Sequence, residues 1–122
     1  MLRSLVGSEM CIRDRYKIGN LIYTAGVTAN DPETQKMVAP GDIIGQTEQI
    51  MKNMQAILEE AGSDLAHIIK TMVFVKDIED FAKFNEAYKK FFPNNPPARS
   101  TMQVGNFLGD MVIEIEAIAT EK

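Results

Sequence analysis

Residues 96–119 read PPARSTMQVGNFLGDMVIEIEAIA, and the fold turns on how this stretch is taken. Two runs, residues 100–104 and 111–119, have strand composition, and Gly105, Asn106, Gly109 and Asp110 lie between them. The pattern predicts a β-hairpin with a loop of moderate length. Pro96 and Pro97 hold the approach extended and keep a helix from entering it. The first strand therefore begins with a guanidinium, Arg99. Along the second, Glu114 and Glu116 point to one face and Ile113, Ile115 and Ala117 to the other, because strand side chains alternate. Periodicity alone makes this a half-solvated sheet, with Arg99 and both glutamates on its wet side.

Upstream, residues 69–75 carry Met72, Val73, Phe74 and Val75 in an almost unbroken apolar run, which predicts a central strand covered on both faces. Before it, Asp42 is a good N-cap for a helix over residues 43–61, with Ile43, Ile50, Met54, Ile57, Leu58 and Ala61 as one buried stripe and Gly62 as the stop. A second helix is predicted over residues 79–92, capped by Asp77 or Asp80, with Phe81, Phe84, Tyr88 and Phe91 as its stripe. Asn85 falls beside that stripe. A buried amide must find partners or cost about 1–3 kcal/mol, and backbone near the hairpin is the plain candidate.

Nearer the start, residues 16–18 read as the end of a strand, Gly19-Asn20 as a turn, and residues 21–25, LIYTA, as the next strand. Gly26 ends it, and a residue without Cβ equally lets a ligand approach the backbone. Residues 30–41 are turn and loop. The order is strand, helix, strand, helix, strand, strand: an α+β two-layer sandwich, a mixed β-sheet with two helices on one face.

The 122 residues suffice for one domain. A net charge of −4 provides no basic field for phosphate backbones, so no nucleic-acid partner is expected. No apolar run approaches the roughly 18–20 residues of a membrane span. Cys11 is the single cysteine, so no internal disulfide can form, and a cytoplasmic setting is the default. His67 has no second His or Cys at ligand spacing and reads as surface, so no metal is implied. Eight Met, among them Met51, Met54, Met72 and Met111, fall on candidate core faces.

Several motifs then act together. PARST at 97–101 and IEIEAIA at 113–119 resemble the signature of the RidA (YjgF-type) family of reactive-intermediate deaminases. GNLIYTAG, the helix ending ILEEAG, KTMVFVKDIEDFAKFNEAY and FFPNNPPARS are similar to family segments in family order, over nearly everything from residue 19 to 119. The resemblance implies a chorismate-mutase-like fold, assembled as a homotrimer with sheets facing inward and pockets between subunits. It implies hydrolysis of 2-imino and 2-enamino acids, such as 2-iminobutanoate and 2-iminopropanoate, to 2-keto acids and ammonia, without a cofactor. Arg99 would hold the substrate carboxylate, since a guanidinium presents two parallel donors to it. Glu114 would position or activate water, and Glu116 would be structural. The backbone at Ala25-Gly26 and the side chain of Asn85 would lie near the substrate. Thr101, at a position that is Cys in some relatives, would touch ligand or simply favour the strand. A non-catalytic binder of small carboxylates and a purely structural trimer are the alternatives. A third is a ribonuclease or translation inhibitor, as described for some animal relatives.

Residues 1–15 stand apart. LVGSEMCIRD, residues 5–14, matches the translation of a transposase adapter used in sequencing libraries, so residues 1–15 are read as replacing a lost natural N-terminus and residues 16–122 as one RidA-like domain. The signal-peptide layout is missing. The resemblance also implies an N-terminal edge strand and a Gly-Pro-Tyr motif whose Tyr lines the pocket. Ile12 falls near that Tyr position and Tyr16 several residues too late, so both strand and Tyr are expected to be lost.

Overall fold

The computed structural model describes residues 13–122, so Cys11, Ile12 and most of the adapter-like peptide lie outside the described residues. In chain order the elements are β1 (Arg15–Ile18), β2 (Leu21–Thr24), α1 (Ile43–Glu60), β3 (Ile68–Val75), α2 (Phe81–Lys89), β4 (Ala98–Gln103) and β5 (Ile113–Thr120). The sheet order is β1-β2-β5-β3-β4. Every neighbouring pair is antiparallel except β3 and β4, which are parallel. Parallel neighbours need a crossover, and α2 supplies it. The expected mixed sheet with two helices is what forms.

The expected hairpin does not form. β4 and β5 both border β3, which lies between them. Thr71↔Arg99 and Val73↔Thr101 register one side, Phe74↔Glu114 and Val73↔Ile115 the other. The connection wraps the end of β3, with the Val104 N–H donating to the Val75 carbonyl (3.0 Å) and the Lys76 N–H to the Val112 carbonyl (2.9 Å). An apolar strand such as β3 buries more by taking a neighbour on each edge than two flanking strands bury by pairing together.

The strand end expected over residues 16–18 and the turn at Gly19-Asn20 both form, so the N-terminal edge carries a strand although the family pattern implied that one would be lost. β1 pairs with β2 through Ile18↔Leu21, and Gly19 at φ 59 takes the first central position of the two-residue turn. Positive φ there matches the twist of the flanking strands.

Asp42 caps α1 as expected, its Oδ1 accepting the Ile44 N–H at 3.1 Å, and Gly62 ends the helix region at φ 89. Ile50, Met51, Met54 and Leu58 are wholly buried against the sheet, so Met54→Ala would cost about 2–5 kcal/mol. α2 is shorter than expected. A 3₁₀ turn, Ile78–Asp80, precedes it, capped by Asp77, and the helix stops at Lys89. Phe92 rather than Phe91 consequently enters the buried stack, its ring 4.9 Å from that of Tyr88.

Only one face of the sheet is covered within the chain. Ile22, Val73, Val75, Ile113, Ile115 and Ala119 are buried beneath the helices. Met72 and Phe74, expected under cover on both sides of a central strand, lie on the other face and are only partly buried. Tyr16, Ile18, Tyr23 and Met102 are exposed on that face.

Candidate functional site

Arg99 lies on the edge strand β4, and its register with the buried Thr71 turns it towards the helices. α2 meets it with residues at 3–4 spacing, Phe81, Phe84, Asn85 and Tyr88, which share one helical face. Arg99 Nη1 donates to Asn85 Oδ1 at 2.8 Å. The guanidinium carbon is 5.2 Å from the Phe81 ring centre, 5.4 Å from that of Phe84 and 5.0 Å from that of Tyr88. Such contacts contribute about 0.5–1 kcal/mol when exposed and about 2 kcal/mol when desolvated. Among the described residues no carboxylate forms an ion pair with Arg99. Asn85 therefore uses its carbonyl on a cation and not, as the plain expectation had it, on backbone near the hairpin.

The Tyr88 and Thr71 hydroxyls share a buried hydrogen bond of 2.7 Å. Burial pushes the Tyr88 phenol above its usual range, while the Thr71 bond and the Arg99 charge act the other way. Thr101 lies two residues beyond Arg99, on the same face, with its Oγ1 buried and without a hydrogen-bond partner among the described residues.

Glu114 lies on the opposite face. Its strand neighbour across the ladder is Phe74, and burial, then the charge of Glu116, raise its carboxyl above the ordinary range. Gly26 lies against it: a Cβ built there would fall 1.7 Å from Glu114 Oε2 and 2.6 Å from Cδ. A side chain here would displace the Glu114 carboxyl, so what the glycine provides is close approach and not a special φ. The backbone there is a bulge, because Tyr23 pairs with Ile118 but Val27 with Ile115, leaving residues 24–26 opposite residues 116–117. Thr24 Oγ1 accepts the Ala117 N–H (2.9 Å), and the Ala25 N–H donates to the Asp14 carbonyl (2.9 Å).

Two groups result. Arg99, Asn85 and Thr101 stand together under α2; Glu114, Ala25 and Gly26 stand together on the uncovered face. β3 separates the groups, and within one chain they do not converge on one ligand. The open cleft of about 420 Å³ lined by Gln55, Asp64, Phe92 and Asn94 contains none of them.

Two buried or half-buried amides were missed in the sequence. Gln46, wholly buried on α1, donates from Nε2 to the carbonyls of Ala39 (3.1 Å) and Asp110 (2.9 Å), and its Oε1 accepts the Val112 N–H (2.9 Å). Asn53 Nδ2 donates to the carbonyls of Thr28 (2.9 Å) and Asn30 (2.8 Å). Together they clip to α1 the loops that flank Gly26 and Glu114. The signal was available: Gln46 lies three after Ile43 and four before Ile50, within the apolar stripe.

His67 hydrogen-bonds Asp64 at 2.6 Å, which with the histidine's charge holds the Asp64 carboxyl below its usual range against a smaller opposing effect of burial. No group of three His, Cys, Asp or Glu among the described residues is placed to hold a metal, and no helix there is long and apolar enough to cross a membrane.

Known proteins are similar to this chain over most of its length. A profile described as Endoribonuclease L-PSP matches residues 13–121. A RutC family protein of Pyrococcus abyssi is 47% identical over 103 residues, 84% of this chain and 80% of that protein. Reactive Intermediate Deaminase A, chloroplastic, of Arabidopsis thaliana is 44% identical over 104 residues, 85% of this chain and 55% of that protein. The crystal structure of Escherichia coli TdcF with bound serine superposes with a TM-score of 0.81 at 36% identity, covering 89% of this chain and 87% of that one.

Proposed function

The chain belongs to the RidA-type family, described as Endoribonuclease L-PSP, and on that premise we propose that it is an imine deaminase. Its substrates are 2-imino and 2-enamino acids, 2-iminobutanoate and 2-iminopropanoate among them, and its products are 2-keto acids and ammonia. The observation that carries this reading is Arg99: a part-buried cation held by an amide and three rings, with no carboxylate of its own among the described residues. Such a cation is a ready partner for a small organic anion. The serine bound in the TdcF structure is a ligand of that class, carrying a carboxylate beside a nitrogen-bearing carbon.

In the proposed reaction Arg99 takes the substrate carboxylate on two parallel N–H donors. Asn85 and the Thr101 hydroxyl border that end of the ligand. Glu114 orients a water and accepts its proton as the oxygen adds to the C=N carbon. The proton passes to nitrogen, and the carbinolamine collapses with loss of ammonia. General acid–base assistance of this kind contributes roughly 10²–10⁴-fold. Burial, and then the charge of Glu116, raise the Glu114 carboxyl, which makes its carboxylate a stronger proton acceptor in that step. The imine is already electrophilic, so the residues named suffice without a metal or organic cofactor.

The site is shared between copies. Glu114 and Arg99 lie on opposite faces, so one ligand reaches both only if a second chain brings its Arg99 to the first chain's Glu114. A homotrimer with uncovered sheet faces turned inward meets that need, and the exposed Tyr23 and Met102 give those faces apolar surface to bury. The net charge of −4 argues against the ribonuclease activity that the family description carries.

The test is to generate iminobutanoate from threonine with a dehydratase, trap residual imine with semicarbazide, and compare the wild type with Arg99→Ala and Glu114→Ala. Less trapping with the wild type alone is expected. Equal trapping with and without protein ends the enzyme reading.

A further inference from the structure

The clasp around Arg99 is more elaborate than anion binding requires. Any exposed arginine can meet a carboxylate, but this one is gripped along one helical face by three rings and an amide, all from its own chain. The ring nearest the guanidinium carbon, Tyr88 at 5.0 Å, is also the most firmly held. It lies between Phe84 and Phe92, with ring centres 5.1 and 4.9 Å away, and its hydroxyl is tied to Thr71 on β3. Thr71 is itself the residue registered opposite Arg99. A triangle of β3, β4 and α2 thus closes on one cation.

We infer that Tyr88, anchored through its hydroxyl to Thr71, is a positioning residue for Arg99, which it holds preset for a planar carboxylate and unpaired with any carboxylate among the described residues. The inference rests on the anion-binding role proposed above for Arg99. Arginine loses much rotamer freedom when it is fixed, and that loss falls on the ligand unless the free protein has already met it. An acidic residue would fix the side chain equally well, but it would compete with the ligand for the same donors. Ring faces and an amide oxygen fix it and leave most of its five N–H donors free. Tyrosine in place of phenylalanine follows from Thr71, whose buried hydroxyl needs a partner.

The test uses the full chain and 2-ketobutanoate, an unreactive carboxylate of the proposed class, titrated by calorimetry into the wild type and into Tyr88→Leu, Tyr88→Phe and Thr71→Val. Tyr88→Leu should bind about tenfold more weakly. The other two should bind about two- to fivefold more weakly, with KM for the imine rising more than kcat falls. The Arg99 Nε–H signal in nitrogen-edited NMR, assigned by its absence in Arg99→Lys, should exchange with water faster in all three variants. If Tyr88→Leu does not fold, the two milder variants carry the comparison. Wild-type affinity and an unchanged Nε–H signal in the folded variants would overturn the inference and leave the deaminase reading standing. A wild type that neither binds 2-ketobutanoate nor loses anything on Arg99→Ala would overturn the reading, and the inference with it.

Discussion

The two halves of the candidate site are built on opposite plans. Arg99 is held by side chains, an amide and three rings from one face of α2. Glu114 is held by backbone: a bulge that brings Gly26 against its carboxyl, with no hydrogen bond or ion pair to that carboxyl among the described residues. The cation is thereby given a fixed geometry. The acid is given an environment, part-buried and beside a like charge, that keeps it protonated further up the pH scale. In the proposed reaction the first arrangement serves a group that grips and the second a group that exchanges a proton.

This contrast can be broken in order of expected effect. Arg99→Ala should lower kcat/KM by about 10²–10⁴-fold through lost binding, and Glu114→Gln should lower kcat by about 10²–10⁴-fold with carboxylate affinity nearly unchanged. If both single variants lose affinity equally, the division of labour is wrong. Mixing and reassembling equal amounts of Arg99→Ala and Glu114→Ala should restore about a quarter of wild-type activity, because a shared site regains one intact residue from each copy. No recovery after verified exchange would place both groups of a working site in one chain.

Smaller effects follow on each side. Gly26→Ala forces the Glu114 carboxyl away, so kcat should fall about tenfold while 2-ketobutanoate affinity holds; steady-state kinetics beside calorimetry would read this. Asn85→Ala removes one bond to a charged donor and should weaken 2-ketobutanoate binding about tenfold with kcat little changed. The mildest effect is on stability. Because the folded Glu114 carboxyl lies above its unfolded value, the stability linked to its proton is present below the ordinary carboxylate range and is lost as pH rises through the raised value. Melting curves at about pH 4 and about pH 7 should therefore show Glu114→Gln gaining on the wild type at the higher pH. An unchanged gap would mean that Glu114 is no more buried than a surface acid.

Much of this was legible in the chain. The Asp42 cap, the Gly62 stop and the alternation of β5 come from local rules that the fold obeys, whereas the candidacy of Arg99, Glu114 and Asn85 came from the family resemblance, which local rules alone do not supply. The hairpin was misread because turn residues between two strands look alike whether the chain doubles back or steps around a third strand. Gln46 and Thr71 were missed for a related reason: a polar residue on an apolar stripe signals burial but does not say which partner it meets.

By itself the sequence determined which segments become helix or strand, which residues carry a charge worth placing, and which family they resemble. Tertiary structure alone decided that β3 separates β4 from β5, that Arg99 turns under α2 while Glu114 turns away, and that Tyr88 reaches Thr71. Capping and periodicity act within a few residues of chain, whereas strand order and register follow from the burial of the whole sheet. The face on which a side chain emerges changes with a shift of a single residue in pairing.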